Sequence, residues 1–302
     1  MLLPQPFKDR YSQLVDDPET FFSILEVLLP KSFRVNTLKS TSEEVKESFE
    51  RYGIGLKQMD WYPDAFVSEL PDIGSTLEHF SGAIYFQELV SMLPPLLVRK
   101  ELETTKRVLD GCAAPGSKTT QLAALMDNKG TITANDLSYS RIRALKFNIE
   151  KTGTLNTVIT NRDLLSFPQM EFGVIILDVP CSAEGTIRKN AELFDCWSIA
   201  EVEKHSKLQK KLIIKAFDML SPGGTMVYST CTFAPEENEM VVEHLLKNRP
   251  AQVEPIEIPG FKTSKPVTEW AGQEFDSQVS KTLRIWPHHN DSGGFFLAKV
   301  TK

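Results

Sequence analysis

The chain has 302 residues, of which 41% are hydrophobic and 25% are charged, a composition typical of a globular protein and not of a disordered one. Lys and Arg total 34 against 40 for Asp and Glu, and the formal net charge of −6 argues against a surface that binds nucleic acid throughout. Four cysteines with no CxxC pair indicate a reduced, cytoplasmic protein. No run of about 20 apolar residues predicts a membrane span, and no signal peptide is expected at the N-terminus.

The first 80 residues predict a small N-terminal domain. In chain order we expect a helical lead-in at 1–29, a strand at 33–38, a helix at 43–51, a strand at 53–59 and a loop over 60–80. Ser40 or Ser42 is the expected cap of the helix, and Gly53 is expected to end it. This pattern indicates a small α/β unit, which we assign to RNA binding below.

From residue 81 to residue 302, strands and helices alternate. We expect helices at 86–99, 117–127, 138–151 and 199–220, and strands at 108–110, 131–136, 157–161, 173–178, 225–230, 283–287 and 294–300. Near-continuous apolar strands separated by helices predict a mostly parallel sheet covered on both faces. The last two strands are consistent with an antiparallel hairpin. The predicted class is therefore α/β.

Polar features cluster where the predicted parallel strands end. The sequence DGCAAPGSKT (110–119) forms a glycine-containing turn from a strand into a helix, which suits a ligand but also fits an ordinary connection. Asp136, Asp163 and Asp178 each follow a strand. Any one of them alone is best explained as a helix N-cap, whereas three at corresponding positions favour a nucleotide-like ligand.

Two cysteines also lie at strand ends. Cys181 belongs to DVPCSAEGT (178–186) and Cys231 to YSTCTFAPEENE (228–239). A lone cysteine is usually a buried, inert thiol, but two at the same edge of a sheet favour a shared cleft. The acidic run PEENE (235–239) is expected to open a helix with charge matched to its N-terminus.

Together these motifs carry a specific resemblance that spans nearly the whole chain. With FRVNTLK (33–39), SGAIYFQELVSMLPPLLV (81–98) and RIWPHHNDSGGFFLAKV (284–300), they resemble the Sun-family RNA 5-methylcytosine methyltransferases in type and order. The resemblance is greatest to the archaeal tRNA enzymes. It implies a Rossmann-like class I methyltransferase domain over 81–302, with a seven-stranded sheet, preceded by an RNA-binding-like domain over 1–80.

The resemblance implies S-adenosylmethionine as the cofactor. Its methionine part is expected against Cys112, Ala113, Ala114, Pro115, Gly116, Ser117 and Lys118. Asp136 would hold the ribose hydroxyls with Arg141 close by, and Asp163 would meet the adenine amino group. Asp178 is expected to border the cofactor as well as the base.

The resemblance also assigns the catalytic roles. Cys231 is the expected nucleophile at C6 of cytosine, a covalent addition that makes C5 enamine-like. Asp178 would hydrogen-bond the base at N3 and its amino group, Lys118 would help to position it, and Cys181 would assist release of the product. The target base must be flipped or single-stranded. Ala183 and Glu184 depart from the commoner family motif and are expected to bear on the base pocket.

RNA contacts are expected from three basic residues, Arg34, Arg188 and Lys189. The lysines of the helix over 199–220 fit a solvated helix face better. His288 and His289 lack an HxxxH or CxxC companion, so no metal site is predicted. Cys196 is expected to be a buried thiol.

The leading prediction is a monomeric tRNA cytosine-C5 methyltransferase, with an accessory RNA-binding partner left open. One alternative is a ribosomal RNA enzyme with the same chemistry. A second is a DNA cytosine-C5 methyltransferase, in which Cys181 would be the nucleophile and Cys231 would have no role. A third is a non-catalytic RNA-binding or assembly protein that retains the fold, which the presence of Lys118, Asp178 and both cysteines argues against.

Overall fold

A computed structural model describes residues 3–70, 72–190, 192–193 and 197–302; Cys196 lies outside these ranges. The helices are α1 Gln5–Tyr11, α2 Pro18–Leu25, α3 Ser42–Arg51, α4 Leu77–Ser81, α5 Leu93–Leu96, α6 Arg99–Leu102, α7 Ser117–Leu125, α8 Tyr139–Thr152, α9 Ile199–Asp218, α10 Glu239–Asn248 and α11 Pro287–Asn290. The strands are β1 Lys31–Val35, β2 Leu56–Met59, β3 Tyr62–Ser68, β4 Ile84–Phe86, β5 Arg107–Asp110, β6 Thr131–Asn135, β7 Thr157–Thr160, β8 Phe172–Asp178, β9 Leu220–Thr230, β10 Gln252–Glu254, β11 Glu269–Trp270, β12 Gln273–Glu274, β13 Leu283–Ile285 and β14 Phe295–Thr301. Short 3-10 turns lie at Ile73–Ser75, Val90–Met92, Leu164–Ser166, Glu184–Thr186 and Ser277–Lys281.

The smaller sheet has the order β2-β3-β1-β4 and is antiparallel. Phe33 stacks on Phe49 of α3 and on Phe66 of β3, with ring centroids 5.5 Å apart in each pair. The predicted loop over 60–80 is wrong, because it holds β3 and α4. Residues alternate between buried and exposed along β3 too irregularly for a period-two signal in the sequence.

Two local predictions in the first hundred residues need correction. Thr41, and neither serine, caps α3, and it forms a capping box with Glu44. The helix predicted over 86–99 is replaced by the end of β4 and three short helical turns. Pro94 and Pro95 lie in the first turn of α5, where they remove the backbone donors that a longer helix arriving from 86 would need.

The larger sheet has the order β10-β14-β9-β8-β5-β6-β7, and β13 pairs with β14. The pairs β5–β6, β6–β7 and β5–β8 are parallel, whereas β13 and β14 form the predicted antiparallel hairpin. The chain leaves β5 toward β6 and β7 and then returns to β8 on the other side of β5. This reversal places a topological switch point at the carboxyl ends of β5 and β8, which is where such sheets bind ligands. The predicted α/β class and sheet type are confirmed.

The chain divides into two compact units. The first comprises Met1–Leu29, Val179–Ile214 and Tyr228–Val300, and the second comprises Pro30–Asp178, Lys215–Val227 and Thr301–Lys302. Aromatic side chains form the core of the first unit, namely Phe7, Tyr11, Phe21, Phe233 and Trp286. None of the described helices combines the length and apolar character that crossing a bilayer requires.

Candidate active site

In the second unit, the turn after β5 is built from close backbone contacts. Gly111 donates its N–H to the carbonyl of Ile176 at 2.9 Å, and Ala113 donates to the carbonyl of Asn135 at 2.8 Å. Gly116 precedes α7 with φ +108°, and a Cβ at this position would lie 2.9 Å from Leu145 Cδ1. A side chain there would be strained in both backbone and packing, so the turn requires glycine.

Asp136 lies directly after β6 and ties this turn to the next loop. One carboxylate oxygen accepts the N–H of Ala114 at 3.1 Å, and the other accepts that of Ser138 at 2.9 Å. Arg141 Nη1 lies 3.6 Å from the same carboxylate and also donates to the carbonyl of Ala114. The structure therefore brings Asp136 and Arg141 together as predicted. Asp163 is exposed and accepts from Leu165 N at 3.0 Å, which is the cap geometry left open above.

Lys118 and Asp178 form an ion pair with 2.6 Å between Nζ and Oδ2. Lys118 is on the first turn of α7 and Asp178 is the last residue of β8, so two different elements fix the two charges. Lys118 Nζ also donates to Ser91 Oγ at 3.1 Å. The lysine side chain is 6% exposed, whereas that of the aspartate is 30% exposed and hence accessible.

The turn after β5 lies in a strongly acidic environment. Burial raises the pKa of Asp110 to about 7, although Thr119 Oγ1 donates to its Oδ2 at 2.6 Å. Its Oδ1 is buried without a hydrogen-bond partner. Burial, followed by the nearby charges of Asp110, Asp136 and Asp178, raises the pKa of the Cys112 thiol. Carboxylates around a backbone turn suit a ligand with ribose hydroxyls and a positive sulfonium, so these residues fit S-adenosylmethionine.

The raised pKa of Asp110 predicts a pH dependence of folding. The native state keeps this proton up to about pH 7, whereas the unfolded chain releases it near its ordinary value of 3.8. Stability therefore falls as pH rises through this window, by at most about 1.4 kcal/mol per pH unit. Asp110→Asn removes the ionisation and keeps an acceptor for Thr119. In urea unfolding, the variant should gain stability relative to wild type from roughly pH 4 to pH 7. A difference that does not change with pH would contradict this account.

In the first unit, the two cysteines lie side by side. Cys181 Sγ is 3.3 Å from Cys231 Sγ. The two loops that carry them are joined by the N–H of Gly185, which donates to the carbonyl of Cys231 at 2.8 Å. The hydrogen bond with Cys231, with burial next in importance, raises the pKa of the Cys181 thiol. The raised pKa favours the protonated form of the Cys181 thiol.

A buried carboxylate that the sequence analysis placed at the base pocket holds these loops from within. Glu184 is 1% exposed, and its side chain lies in the interior of the first unit. It accepts from Tyr11 Oη at 2.7 and 2.8 Å, Trp197 Nε1 at 2.6 Å, Thr232 Oγ1 at 2.7 Å and Phe233 N at 3.0 Å. The expectation that Glu184 shapes the base pocket is corrected to an interior role, in which it binds Thr232 and Phe233, the two residues that follow Cys231.

The acidic run PEENE leads into α10 as predicted, but its carboxylates also have buried partners that were not predicted. Glu237 is buried and accepts from Ser182 N at 3.0 Å and Gln209 Nε2 at 2.7 Å, and burial raises its pKa to about 7. Asn238 binds Thr230 and Thr232 on the Cys231 loop. Glu239 pairs with the buried Arg284 at 2.5 Å. Glu239 lies in the first turn of α10, where the prediction placed an acidic charge, and it also binds a buried guanidinium, whereas Glu237 precedes the helix and binds a loop. These acids lie between a buried strand and a helix with an apolar face, and this position in the sequence could have indicated that they are buried.

Two of the three predicted RNA-contacting residues are buried. Arg34 is 0% exposed and donates to Gln87 Oε1 and Thr120 Oγ1. Arg188 is 4% exposed and binds Asp291 at 2.6 Å and the carbonyls of Val27, Leu28 and Ser292. Phosphates cannot reach either guanidinium, so we correct both assignments. Lys189 is exposed, and its RNA contact stays a prediction.

Comparison with known proteins adds independent information. A family model described as 16S rRNA methyltransferase RsmB/F matches residues 97–301, and one described as the N-terminal domain of 16S rRNA methyltransferase RsmF matches residues 3–89. The chain is 42% identical over 299 residues to the tRNA (cytosine(49)-C(5))-methyltransferase of Pyrococcus abyssi, covering 97% of this chain and 94% of that protein. It is 38% identical to the ribosomal RNA small subunit methyltransferase F of Erwinia tasmaniensis, covering 100% of this chain but only 64% of that protein.

Solved structures agree on the fold. A methyltransferase homologue from Pyrococcus horikoshii superposes with a TM-score of 0.88 at 33% identity, covering 99% of this chain and 95% of that one. NSun6 from Pyrococcus horikoshii, solved with SFG, superposes with a TM-score of 0.84 at 22% identity, covering 99% and 98%. The second likeness concerns the fold alone.

Proposed function

The chain belongs to the RsmB/F family of methyltransferases, and on that premise we propose that it methylates C5 of a cytosine in tRNA. The coarser activity, S-adenosylmethionine-dependent methylation of cytosine C5 in RNA, follows from the family and its relatives. The observation that supports tRNA is the similarity to the archaeal tRNA enzyme, which is 42% identical to this chain, against 38% for the ribosomal RNA enzyme.

Cys231 is the proposed nucleophile. C5 of cytosine is a weak nucleophile, and addition of a thiolate at C6 makes it enamine-like. The Cys181 thiol, whose pKa is raised, lies 3.3 Å from the Cys231 sulfur and can hydrogen-bond that sulfur as it adds to the base. S-adenosylmethionine, when bound, supplies the electrophilic methyl group.

Asp178 and Lys118 are the proposed base-positioning pair. The accessible carboxyl of Asp178 matches the ring N3 and exocyclic amine of cytosine. Lys118, ion-paired at 2.6 Å and held by Ser91, fixes the orientation of that carboxyl. Asp178 is also only three residues from Cys181 along the chain. The cofactor residues proposed are the turn 112–118 with Asp136 and Arg141.

Release requires the C5 proton to leave and the bond between Cys231 and C6 to break. The electron pair of the C5–H bond restores the C5–C6 double bond, and the pair of the C–S bond returns to Cys231. Cys181 is proposed to relay the proton, since its sulfur lies beside that of Cys231. The RNA methyltransferase mechanism and the DNA methyltransferase alternative therefore differ in the nucleophile, which is Cys231 in the first and Cys181 in the second.

The test of substrate class is transfer of labelled methyl from S-adenosylmethionine to unmodified tRNA and to 16S rRNA, followed by bisulfite sequencing of the products. We expect 5-methylcytosine at a defined tRNA position and little incorporation into rRNA. Preferential methylation of rRNA would overturn the tRNA assignment. Absence of S-adenosylmethionine binding in calorimetry would favour the non-catalytic alternative. The cytoplasmic location, the monomeric state and the domain boundary at residue 80 stay predictions.

A further inference from the structure

Three side chains that the methylation chemistry does not use converge in the first unit. His288 Nε2 lies 2.8 Å from Asp16 Oδ1, and His289 Nε2 lies 2.9 Å from Asp16 Oδ2. The two histidines are adjacent in α11, and their ring centroids are 4.2 Å apart with the rings at 62°. Asp16 lies between α1 and α2, 272 residues away in sequence from His288. The two histidines have no HxxxH or CxxC companion in the sequence, and Asp16 supplies a further ligand from the other end of the chain.

We propose that Asp16, His288 and His289 form a binding site for a divalent transition metal ion of the zinc class. Two imidazole nitrogens and one carboxylate are a donor set that suits Zn²⁺, Ni²⁺ or Co²⁺. Each residue offers one ligand atom, and the three atoms lie within 4.8 Å of one another. Ligands about 2.1 Å from a metal are separated from each other by roughly 3.4 Å, so the imidazole–carboxylate distances of 2.8 and 2.9 Å need to lengthen by about half an ångström.

The surroundings fit this role. The imidazole side chains are 4% and 2% exposed, whereas that of Asp16 is 57% exposed. Two ligands are thus fixed by packing, while the third faces solvent and leaves room for entry and for water ligands. His289 Nδ1 lies 3.3 Å from Ser264 Oγ, an outer contact of the kind that orients a metal-binding imidazole. Phe21 packs edge-on against the His288 ring at 5.9 Å and limits its rotation.

A metal ion bound by Asp16, His288 and His289 would link the loop between α1 and α2 to helix α11. That loop leads into Phe21, which contacts Phe233 and Trp286 in the core of the first unit. We therefore expect the ion to stabilise this unit and to leave the methyl-transfer groups untouched. Because the ion binds the folded state, saturating metal should raise the unfolding midpoint by several degrees.

The thiol pair complicates a direct test, because Cys181 and Cys231 can also bind zinc. The experiment therefore uses the full, untagged chain with Cys181→Ser and Cys231→Ser. Co²⁺ is titrated while visible absorption is recorded, and bound Co²⁺ and Zn²⁺ are counted by elemental analysis after desalting. Asp16→Asn and His289→Gln are compared on this background, with His244→Gln as the matched histidine control.

We expect one equivalent of metal, with affinity at least tenfold weaker in Asp16→Asn and in His289→Gln and unchanged in His244→Gln. Asp16→Asn keeps the test valid if His289→Gln is destabilised, because Asp16 is exposed and an amide retains a hydrogen-bond acceptor. Absence of bound metal, or binding weakened less than tenfold by Asp16→Asn, would overturn the site. Neither result bears on methyl transfer, so this proposal and the proposed function fail separately.

Discussion

Cys231→Ala protein is expected to lose methyl transfer to RNA by at least about 10³-fold while keeping its fold and its binding of S-adenosylmethionine. The thiolate supplies the covalent addition that activates C5, and the neighbouring Cys181, whose pKa is raised, is the poorer nucleophile. The measurement is single-turnover transfer of labelled methyl to tRNA, with circular dichroism and calorimetry as checks on folding and cofactor binding.

Cys181→Ala is the matched control for this prediction. It removes a thiol of the same size from the neighbouring loop, 3.3 Å away. We expect it to permit the first methyl transfer and to impair turnover. The reverse pattern, an active Cys231→Ala and a dead Cys181→Ala, would show that Cys181 attacks the base, as in the DNA enzymes.

Glu184→Ala is expected to destabilise the protein by roughly 3–5 kcal/mol. The substitution leaves four donors without their acceptor, on Tyr11, Trp197, Thr232 and Phe233. Each unsatisfied buried donor costs about 1–3 kcal/mol, reduced where the cavity admits water. Urea unfolding followed by circular dichroism measures the change.

Two further variants of acidic residues serve as controls for the stability change of Glu184→Ala. Glu184→Gln keeps one acceptor oxygen and should lose clearly less stability than the alanine variant. Glu203→Ala alters an exposed position on α9 and should change stability by no more than about 0.5 kcal/mol. If Glu184→Ala were no more destabilising than Glu203→Ala, the buried carboxylate would not be holding the two cysteine loops.

The sequence was sufficient where the relevant signal is local. Apolar strands that end in Asp110 and Asp178 predicted the parallel sheet. Two cysteines at strand ends predicted a shared cleft, and the structure places Cys181 Sγ 3.3 Å from Cys231 Sγ. The role of Lys118 came only from the family resemblance, and its ion pair with Asp178 was not predicted. The prediction of one helix over 86–99 from local sequence was wrong, because Pro94 and Pro95 interrupt the helical pattern.

Long-range contacts explain what could not be predicted. Tyr11 reaches Glu184 across 173 residues, and Asp16 reaches His288 across 272. Arg34 looks like a surface cation in the sequence, but Gln87 and Thr120 supply the polar partners that permit its burial. Residue type sets what a side chain can bind, whereas tertiary structure decides which partner it meets.

The central claim, attack by Cys231 with release through Cys181, is tested most directly by trapping the reaction intermediate. Cys181→Ala protein is incubated with S-adenosylmethionine and labelled tRNA, then analysed on a denaturing gel. The account predicts a slowly migrating protein–RNA band that is absent from the Cys181→Ala/Cys231→Ala double variant. A band that persists in the double variant, or no band with tRNA or 16S rRNA from protein that binds S-adenosylmethionine, would contradict it.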